Sequence, residues 1–241
     1  MSVCAAHGTA EGFEPVPVLS TAEAEPGEVT MARRRSVLPS RRAVLHVQAT
    51  GDRDVPPDLV SWFTERAFHF YYLAGVRLPG QRAAGRGRHL GQAFADLDAA
   101  CRRLRETEGM DHIIVSGQDS GATAAALWTD RPDPPAAPAD ALVLVGPAFG
   151  ARPRMQLNIA CPVLVLTDEP EARAGYQRGW RRRPRRPEPA PPRLGSHVTW
   201  LQLPDQSAGS ADGAGRGRQP FFDELGRWLG AYMYGMRDQL L

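Results

Sequence analysis

The sequence of 241 residues contains no lysine, and all 29 of its basic residues are arginine. Alanine, glycine and proline are plentiful, which indicates a bias in genomic base composition and weakens arguments from the number of arginines alone. The 27 acidic residues nearly balance the arginines, so the formal net charge is only +2. A charge this close to neutral sets up no field directed at nucleic acid, and we therefore expect no nucleic-acid partner.

Cysteine is scarce as well, and the chain has only Cys4, Cys101 and Cys161. Without short spacings, these residues exclude a disulfide framework and a cysteine-ligated zinc site. No apolar run approaches the roughly 18 residues of a membrane span, and the first residues lack the regions of a signal peptide. The six histidines show no metal-ligand spacing. These absences predict a cytoplasmic protein without a membrane span, a metal or another cofactor.

Composition divides the chain into a leader and a domain. Residues 1–40 combine frequent glutamate, proline and alanine with no apolar period, which predicts a disordered leader. Residues 41–241 alternate short apolar runs with amphipathic stretches and predict one domain, large enough to bury a substantial core. Within it, residues 173–193 carry eight arginines and five prolines. Because proline disrupts helices, this segment is predicted to be a solvated insertion loop.

The apolar runs predict the class of fold. Strands are predicted over 43–47, 68–73, 112–116, 141–145, 162–166 and 198–203. Amphipathic spacing predicts helices over 58–66, 90–108, 122–129 and 221–237. Strands rich in valine, isoleucine and leucine that alternate with helices are typical of α/β proteins. We therefore expect a doubly wound, mostly parallel sheet with helices on both faces.

One turn carries the strongest chemical signal in the chain. It consists of Gly117, Gln118, Asp119, Ser120 and Gly121. A strand, a Gly-x-x-x-Gly turn and a helix of small residues are typical of a nucleophile elbow. Such a turn presents its central side chain, and its glycines let strand and helix approach closely. The N-terminus of the helix adds partial positive charge and N–H groups that suit an oxyanion.

Several segments in this order resemble the α/β-hydrolase fold. They are FTERAFHFY from residue 63, FADLDAA from residue 94, the turn itself, AALW from residue 125 and DALVL from residue 140. The resemblance covers roughly residues 42–235 and is to the lysophospholipase and serine-aminopeptidase-like branch of esterases and lipases. It implies an α/β-hydrolase-like domain. The segment at 149–160 is too short for a helical cap, so no large cap domain is expected.

The resemblance also implies a serine, histidine and acid triad, from which this chain departs. Asp119 stands at the nucleophile-elbow position in place of serine, with Ser120 after it. Asp168 follows a strand at the acid position. His197 precedes the last strand and no histidine follows it, so His197 and His46 are only weak candidates for the base. For His46, which lies near the implied oxyanion loop, a structural role inside the strand is an equal alternative.

These residues predict a divergent α/β-hydrolase-fold protein, similar to esterases and lysophospholipases, whose Ser-His-Asp activity is lost or very weak. The ligand that this implies is a small acyl or ester molecule. One alternative is an active hydrolase with Asp119 as nucleophile or base. Another is a non-catalytic binding or scaffold protein that uses the pocket or the arginine-rich loop at 173–193, where binding would depend on salt. The sequence leaves catalysis and oligomeric state open.

Overall fold

The computed structural model describes residues 12–17, 29–49, 54–76, 86–131, 133, 137–146, 159–167, 198–202 and 219–231. Eight strands lie in this part of the chain: β1 (Glu14–Val16), β2 (Thr30–Arg34), β3 (Arg42–Ala49), β4 (His69–Val76), β5 (His112–Gln118), β6 (Ala141–Val145), β7 (Val163–Thr167) and β8 (Val198–Gln202). The helices described are α1 (Pro57–Glu65), α2 (Arg86–Glu106), α3 (Asp119–Thr129) and α4 (Gln219–Leu229). Strands β3 to β8 and all of these helices correspond to predicted elements.

The eight strands form one sheet in the order β1-β2-β4-β3-β5-β6-β7-β8. Strands β3 to β8 are all parallel to their neighbours within this group, while β2 pairs antiparallel with both β1 and β4. Parallel neighbours need crossover connections, and α1, α2 and α3 lie within three of them. Burial of these strands on both faces explains their near-continuous apolar sequences. The predicted doubly wound, mostly parallel sheet is confirmed.

The helices cover both faces of the sheet and create two apolar cores. Alternate residues of β3 contribute to opposite cores, as the pleat of a strand requires. The first core joins α2 and α3 to the sheet through residues that include Leu45, Tyr71, Leu97, Leu104 and Trp128. The second joins α1 and α4 to the sheet through residues that include Phe63, Phe68, Phe70, Ile114 and Trp228. Burial of this apolar surface is the main source of stability.

The segment predicted to be a disordered leader contains β1 and β2, so the prediction is wrong for those residues. Strand β2 places Met31 opposite Leu73, and only 3% of Met31 is exposed. The Arg33 guanidinium lies 2.6 Å from Glu108 and 2.9 Å from Glu14. This ion pair network joins β1 and β2 to the end of α2. The sequence signal was weak because each of the two strands has a single buried side chain.

Some helix boundaries also differ from the prediction. Helices α2 and α3 begin four and three residues before the predicted starts, because glycine, serine and histidine there are weak helix signals. Helix α4 ends at Leu229, before the predicted end at 237, and residues 232–241 lie outside the described part. The loop at 173–193 lies wholly outside it too, and of the segment considered for a cap only residues 159 and 160 lie within it. None of the described helices is both long and apolar enough to cross a membrane.

Helix α1 ends in a turn that places a residue other than glycine in left-handed backbone. The Arg66 and Phe68 N–H groups both donate to the Phe63 carbonyl, at 3.0 and 3.1 Å. In this closure the residue after the helix cap takes a positive φ. That residue is Ala67, with φ of +62°. Glycine adopts such a conformation without the steric cost that a Cβ adds.

We therefore expect Ala67→Gly to raise the free energy of unfolding by about 0.5–1 kcal/mol, because the left-handed penalty of the Cβ disappears. Urea denaturation followed by circular dichroism measures the change. The control is Ala95→Gly within α2, which should lower the free energy of unfolding by about 1 kcal/mol. If Ala67→Gly destabilises the protein as much as the control does, this account of the turn is wrong.

Candidate functional site

The turn predicted to be a nucleophile elbow joins β5 directly to α3. Strand β5 ends at Gln118 and helix α3 begins at Asp119, with no residue between them. Asp119 has φ of +48°, in the left-handed region, which costs a residue with a Cβ about 1 kcal/mol or more. The side chains of Gln118, Asp119 and Ser120 are partly exposed. The structure therefore places an aspartate in strained backbone at the apex of a sharp strand-to-helix turn.

Gly117 is required by how closely the strand and the helix approach each other. A Cβ at this position would lie 2.6 Å from the backbone nitrogen of Ala122 and 2.6 Å from the carbonyl carbon of Gly121. Both atoms belong to the backbone of α3, which cannot move aside as a flexible side chain can. The glycine at the first position of the turn thus serves the packing of the helix on the strand.

We expect Gly117→Ala to lower the free energy of unfolding by about 3 kcal/mol or more, because the new methyl group meets helix backbone. Gly91→Ala in α2 is the matched control, since a Cβ there meets nothing within 4 Å. That variant should be neutral or up to about 1 kcal/mol more stable. Chemical denaturation of both proteins gives the comparison. Similar stabilities for the two variants would show that strand and helix are not in close contact.

A second glycine borders Asp119 from the neighbouring strand. Gly146 follows the last residue of β6, has φ of +53° and donates its N–H to the Leu166 carbonyl at 2.7 Å. A Cβ at Gly146 would lie 3.3 Å from Oδ1 of Asp119, so the carboxylate lies against the end of β6. Sequence reasoning missed this contact. The carboxyl edge of the sheet, where both residues lie, is where ligands bind in open α/β folds.

The surroundings of Asp119 suit a negative charge. Asp119 is the first residue of α3, at the positive end of the helix dipole, which stabilises anions. A carboxylate in this position can attack a saturated carbon or take a proton from water, but it cannot supply a serine hydroxyl. Ser120 follows as the second residue of α3. In the described ranges, no group of three histidine, cysteine, aspartate or glutamate residues could hold a metal ion.

His46, one of the two candidate bases, lies inside the sheet. Its Nδ1 is 2.9 Å from the Ser116 hydroxyl, and its ring stacks with Phe70 and Tyr72 at centroid distances of 5.9 and 6.4 Å. His46 pairs in register with Ser116, three residues before Asp119, which corresponds to roughly 10 Å along the strand. That separation exceeds hydrogen-bond reach. The arrangement favours the structural alternative for His46.

Burial lowers the pKa of His46 from 6.5 to about 4, so the ring is neutral at physiological pH. In the unfolded chain its pKa returns to about 6.5. Between these two values the unfolded chain binds one more proton than the folded protein does. The stability that depends on the neutral ring is therefore complete above about pH 6.5 and is lost as the pH falls toward about 4.

His46→Gln keeps a polar partner for Ser116 but does not titrate in this range. Between about pH 7 and pH 4 we expect wild type to lose up to about 3 kcal/mol more unfolding free energy than His46→Gln. Urea denaturation at both pH values measures this. The control is His112→Gln at the partly exposed start of β5, which should keep the wild-type pH dependence. An unchanged pH dependence in His46→Gln would contradict the assignment.

Two further predicted site residues, Asp168 and His197, lie outside the described residues. The strands next to them are described: β7 ends at Thr167 and β8 begins at Val198. Since β7 and β8 run parallel, the end of β7 lies at the same edge of the sheet as Asp119, and the start of β8 lies at the opposite edge. Within its described part, the structure brings Gly146 to Asp119 and keeps His46 away from it.

Comparison with known proteins gives likeness in structure but not in sequence. No family model and no curated protein matches the chain. Thermogutta terrifontis esterase 2 phosphoramylated by tabun has a TM-score of 0.60 at 14% identity, over 92% of this chain and 95% of that one. MGS-M1, an α/β hydrolase from a Medee basin deep-sea metagenome library, has a TM-score of 0.57 at 13% identity, over 92% of this chain and 99% of that one. The Francisella virulence factor BioJ has a TM-score of 0.56 at 12% identity, over 88% of this chain and 82% of that one.

At these identities the likeness concerns architecture. It extends over about nine tenths of this chain, so it includes the sheet as a whole rather than one strand-helix-strand unit. The α/β-hydrolase fold implied by the resemblance of the sequence segments is confirmed. The elbow at Asp119 therefore belongs to a fold in which the solved neighbours include esterases.

Proposed function

We propose that this chain is a divergent α/β-hydrolase-fold protein, similar to esterases and lysophospholipases, in which ester hydrolysis by serine, histidine and acid is lost or very weak. The observation that carries the proposal is the aspartate at the apex of the elbow, with φ of +48° and at the start of α3. The fold provides the position of a nucleophile, and the sequence puts a carboxylate there instead of a hydroxyl.

A carboxylate does not replace serine in acyl transfer. A serine hydroxyl that attacks an ester carbonyl forms a new ester and expels an alcohol, and its proton reaches the leaving group through the histidine. Attack by the Asp119 carboxylate would form an anhydride, which is more reactive than the ester it came from. The expelled alkoxide would therefore reverse the step, and ordinary esters should turn over little or not at all.

The position of His46 supports the same conclusion. A general base must lie within hydrogen-bond reach of the proton that it takes. His46 is bonded to Ser116 and buried between aromatic rings, and its lowered pKa makes it a poor proton acceptor. For the acid we keep Asp168 and for a displaced base His197, both as proposals that rest on their places next to strand ends in the sequence.

The ligand that we propose is a small acyl or ester molecule. Structures of Thermogutta terrifontis esterase 2 contain propionate or butyrate, and they share this fold with TM-scores of 0.56 and 0.57. In this chain the Asp119 carboxylate would repel a second carboxylate beside it. An uncharged ester or acyl group therefore fits the elbow better than a free acid does.

A second candidate function is hydrolysis with Asp119 as the nucleophile, and the backbone at Asp119 favours it. Glycine would adopt the left-handed conformation at lower cost, yet the chain has a reactive carboxylate there, and strained residues cluster at functional sites. In this reaction a carboxylate oxygen bonds to a saturated carbon, and the leaving group departs with the electron pair of its bond. Water then cleaves the resulting alkyl ester, which restores the carboxylate.

Hydrolysis of short- and medium-chain alkyl esters, followed by the acid that it releases, tests the first proposal. Wild type and Asp119→Ala should release acid at the same low rate, because an alkoxide expelled by the Asp119 carboxylate would return to the anhydride. Asp111→Ala is the control, since Asp111 is an exposed carboxylate next to the start of β5, at the other edge of the sheet. If wild type hydrolyses these esters rapidly and Asp119→Ala does not, the proposal is wrong.

Asp119→Ser tests whether a serine hydroxyl at the apex of the turn is enough to give ester hydrolysis. We expect this variant to be as inactive as wild type, because His46, the candidate base that lies in the described ranges, is not near the apex of the turn. A gain of esterase activity would place the loss at the nucleophile alone. The second candidate function is tested with alkyl halides and epoxides, for which wild type should be active and Asp119→Asn inactive.

A further inference from the structure

An exposed apolar pair lies at the amino edge of the sheet, far from the elbow. Val37 and Leu38 are 74% and 55% exposed, and they are the exposed large hydrophobic residues of the described chain. They occupy the turn between β2 and β3, which we define as residues 36–40 and name the Val37–Leu38 turn. Scattered exposed apolar residues are ordinary on protein surfaces, so the argument depends on how this pair is presented.

The Val37–Leu38 turn is held firmly by hydrogen bonds from both of its ends. His69 joins the ends, because its Nδ1 accepts from the Ser36 N–H at 3.2 Å and its Nε2 lies 3.0 Å from the Ser40 carbonyl. With Nδ1 as acceptor, Nε2 carries the proton and donates it. The Val37 N–H and the Ser36 hydroxyl both donate to the Thr64 carbonyl, at 3.1 and 3.2 Å. The pair is thus presented in a preorganised form, which reduces the entropy lost on binding.

Positive charge flanks the pair on both sides. The four residues concerned are Arg34, Arg35, Arg41 and Arg42. Arg35 contacts Glu14 at 3.3 Å and Arg41 contacts Asp111 at 3.1 Å, in pairs whose side chains are all more than half exposed. Such exposed pairs are weak and do not hide the charge from a partner. Arg34, Arg35, Arg41 and Arg42 therefore bring four positively charged side chains close to the apolar tip.

The surface beside the turn is an open cleft of about 540 Å³. Its lining is partly apolar and includes two arginines, Arg41 and Arg42, and one aspartate, Asp111, along with Pro39, Ser40, Ala67 and His112. The cleft starts where the apolar tip ends. An exposed apolar tip next to a cleft that two arginines line matches the layers of a membrane surface, in which anionic headgroups lie outside the acyl chains.

We propose that the Val37–Leu38 turn docks the protein peripherally on a bilayer that contains anionic phospholipid. Val37 and Leu38 enter the acyl boundary, and the flanking arginines contact headgroup phosphates. A protein partner fits less well, because a stable protein interface buries about 800 Å² on each side, and the two exposed side chains of this turn offer much less. Burial of each side chain and attraction of each arginine add modest increments that sum.

Co-sedimentation with vesicles tests the proposal. The full chain should bind vesicles of mixed phosphatidylglycerol and phosphatidylcholine, and raised salt should weaken the binding. Combined Val37→Ser and Leu38→Ser substitutions should weaken it by about tenfold or more. Arg41→Gln should weaken it by about fivefold. Arg227→Gln is the control, since Arg227 is a 71% exposed arginine on α4, and it should bind as wild type does.

Because Val37 and Leu38 are exposed, the double variant should unfold at the wild-type temperature, which separates lost docking from lost folding. Equal binding of the double variant and wild type would overturn the proposal, as would equal binding to vesicles of phosphatidylcholine alone. Size-exclusion chromatography covers self-association. If wild type does not bind vesicles but forms a dimer that the double variant does not form, the partner of the turn is a second copy of the chain, and the proposal of bilayer docking is wrong.

Discussion

The contact between β5 and α3 at Gly117 is the constraint on which the rest of the site depends. The two backbones are so close that a Cβ would lie 2.6 Å from helix atoms, and no loop fits between strand and helix. The chain must therefore turn at a single residue, and Asp119 takes a positive φ as a result. The face of α3 toward the sheet is built from fully buried alanines, such as Ala122 and Ala125, since larger side chains would push the helix away. The strain at Asp119 is held in place by this packing.

The same geometry changes what the helix N-terminus contributes. In acyl transfer by a serine, its positive end and N–H groups stabilise an oxyanion that exists only in the transition state. Here Asp119 puts a carboxyl group of the protein itself at that end of α3. Stabilisation of a resident anion acts in the ground state, and only interactions that are stronger in the transition state accelerate a reaction. Under the proposed function, an aspartate at this position therefore offers no serine hydroxyl, and its own carboxylate occupies the place where the helix N-terminus would stabilise an oxyanion.

Sequence reasoning found the elements whose signal is local. Strands β3 to β8 are apolar along most of their length, and the glycine spacing around Asp119 reports a backbone contact within five residues. It missed β1 and β2, whose single buried side chains in polar sequence leave no pattern. It also missed Gly146, because that contact with Asp119 depends on β6 lying beside β5. The structural alternative for His46 is favoured by its register with Ser116 across two strands, which a single sequence does not encode.

In these proposals the amino edge of the sheet faces the bilayer and the carboxyl edge faces water, and this difference affects which ligand can reach Asp119. The elbow lies at the carboxyl edge, while the Val37–Leu38 turn lies where β2 ends and β3 begins, at the amino edge. A protein docked through that turn has its elbow directed away from the bilayer, toward water. Such an orientation disfavours a lipid drawn directly from the membrane and favours a small ligand that diffuses in solution. The small uncharged acyl or ester ligand that we propose on electrostatic grounds also fits this orientation.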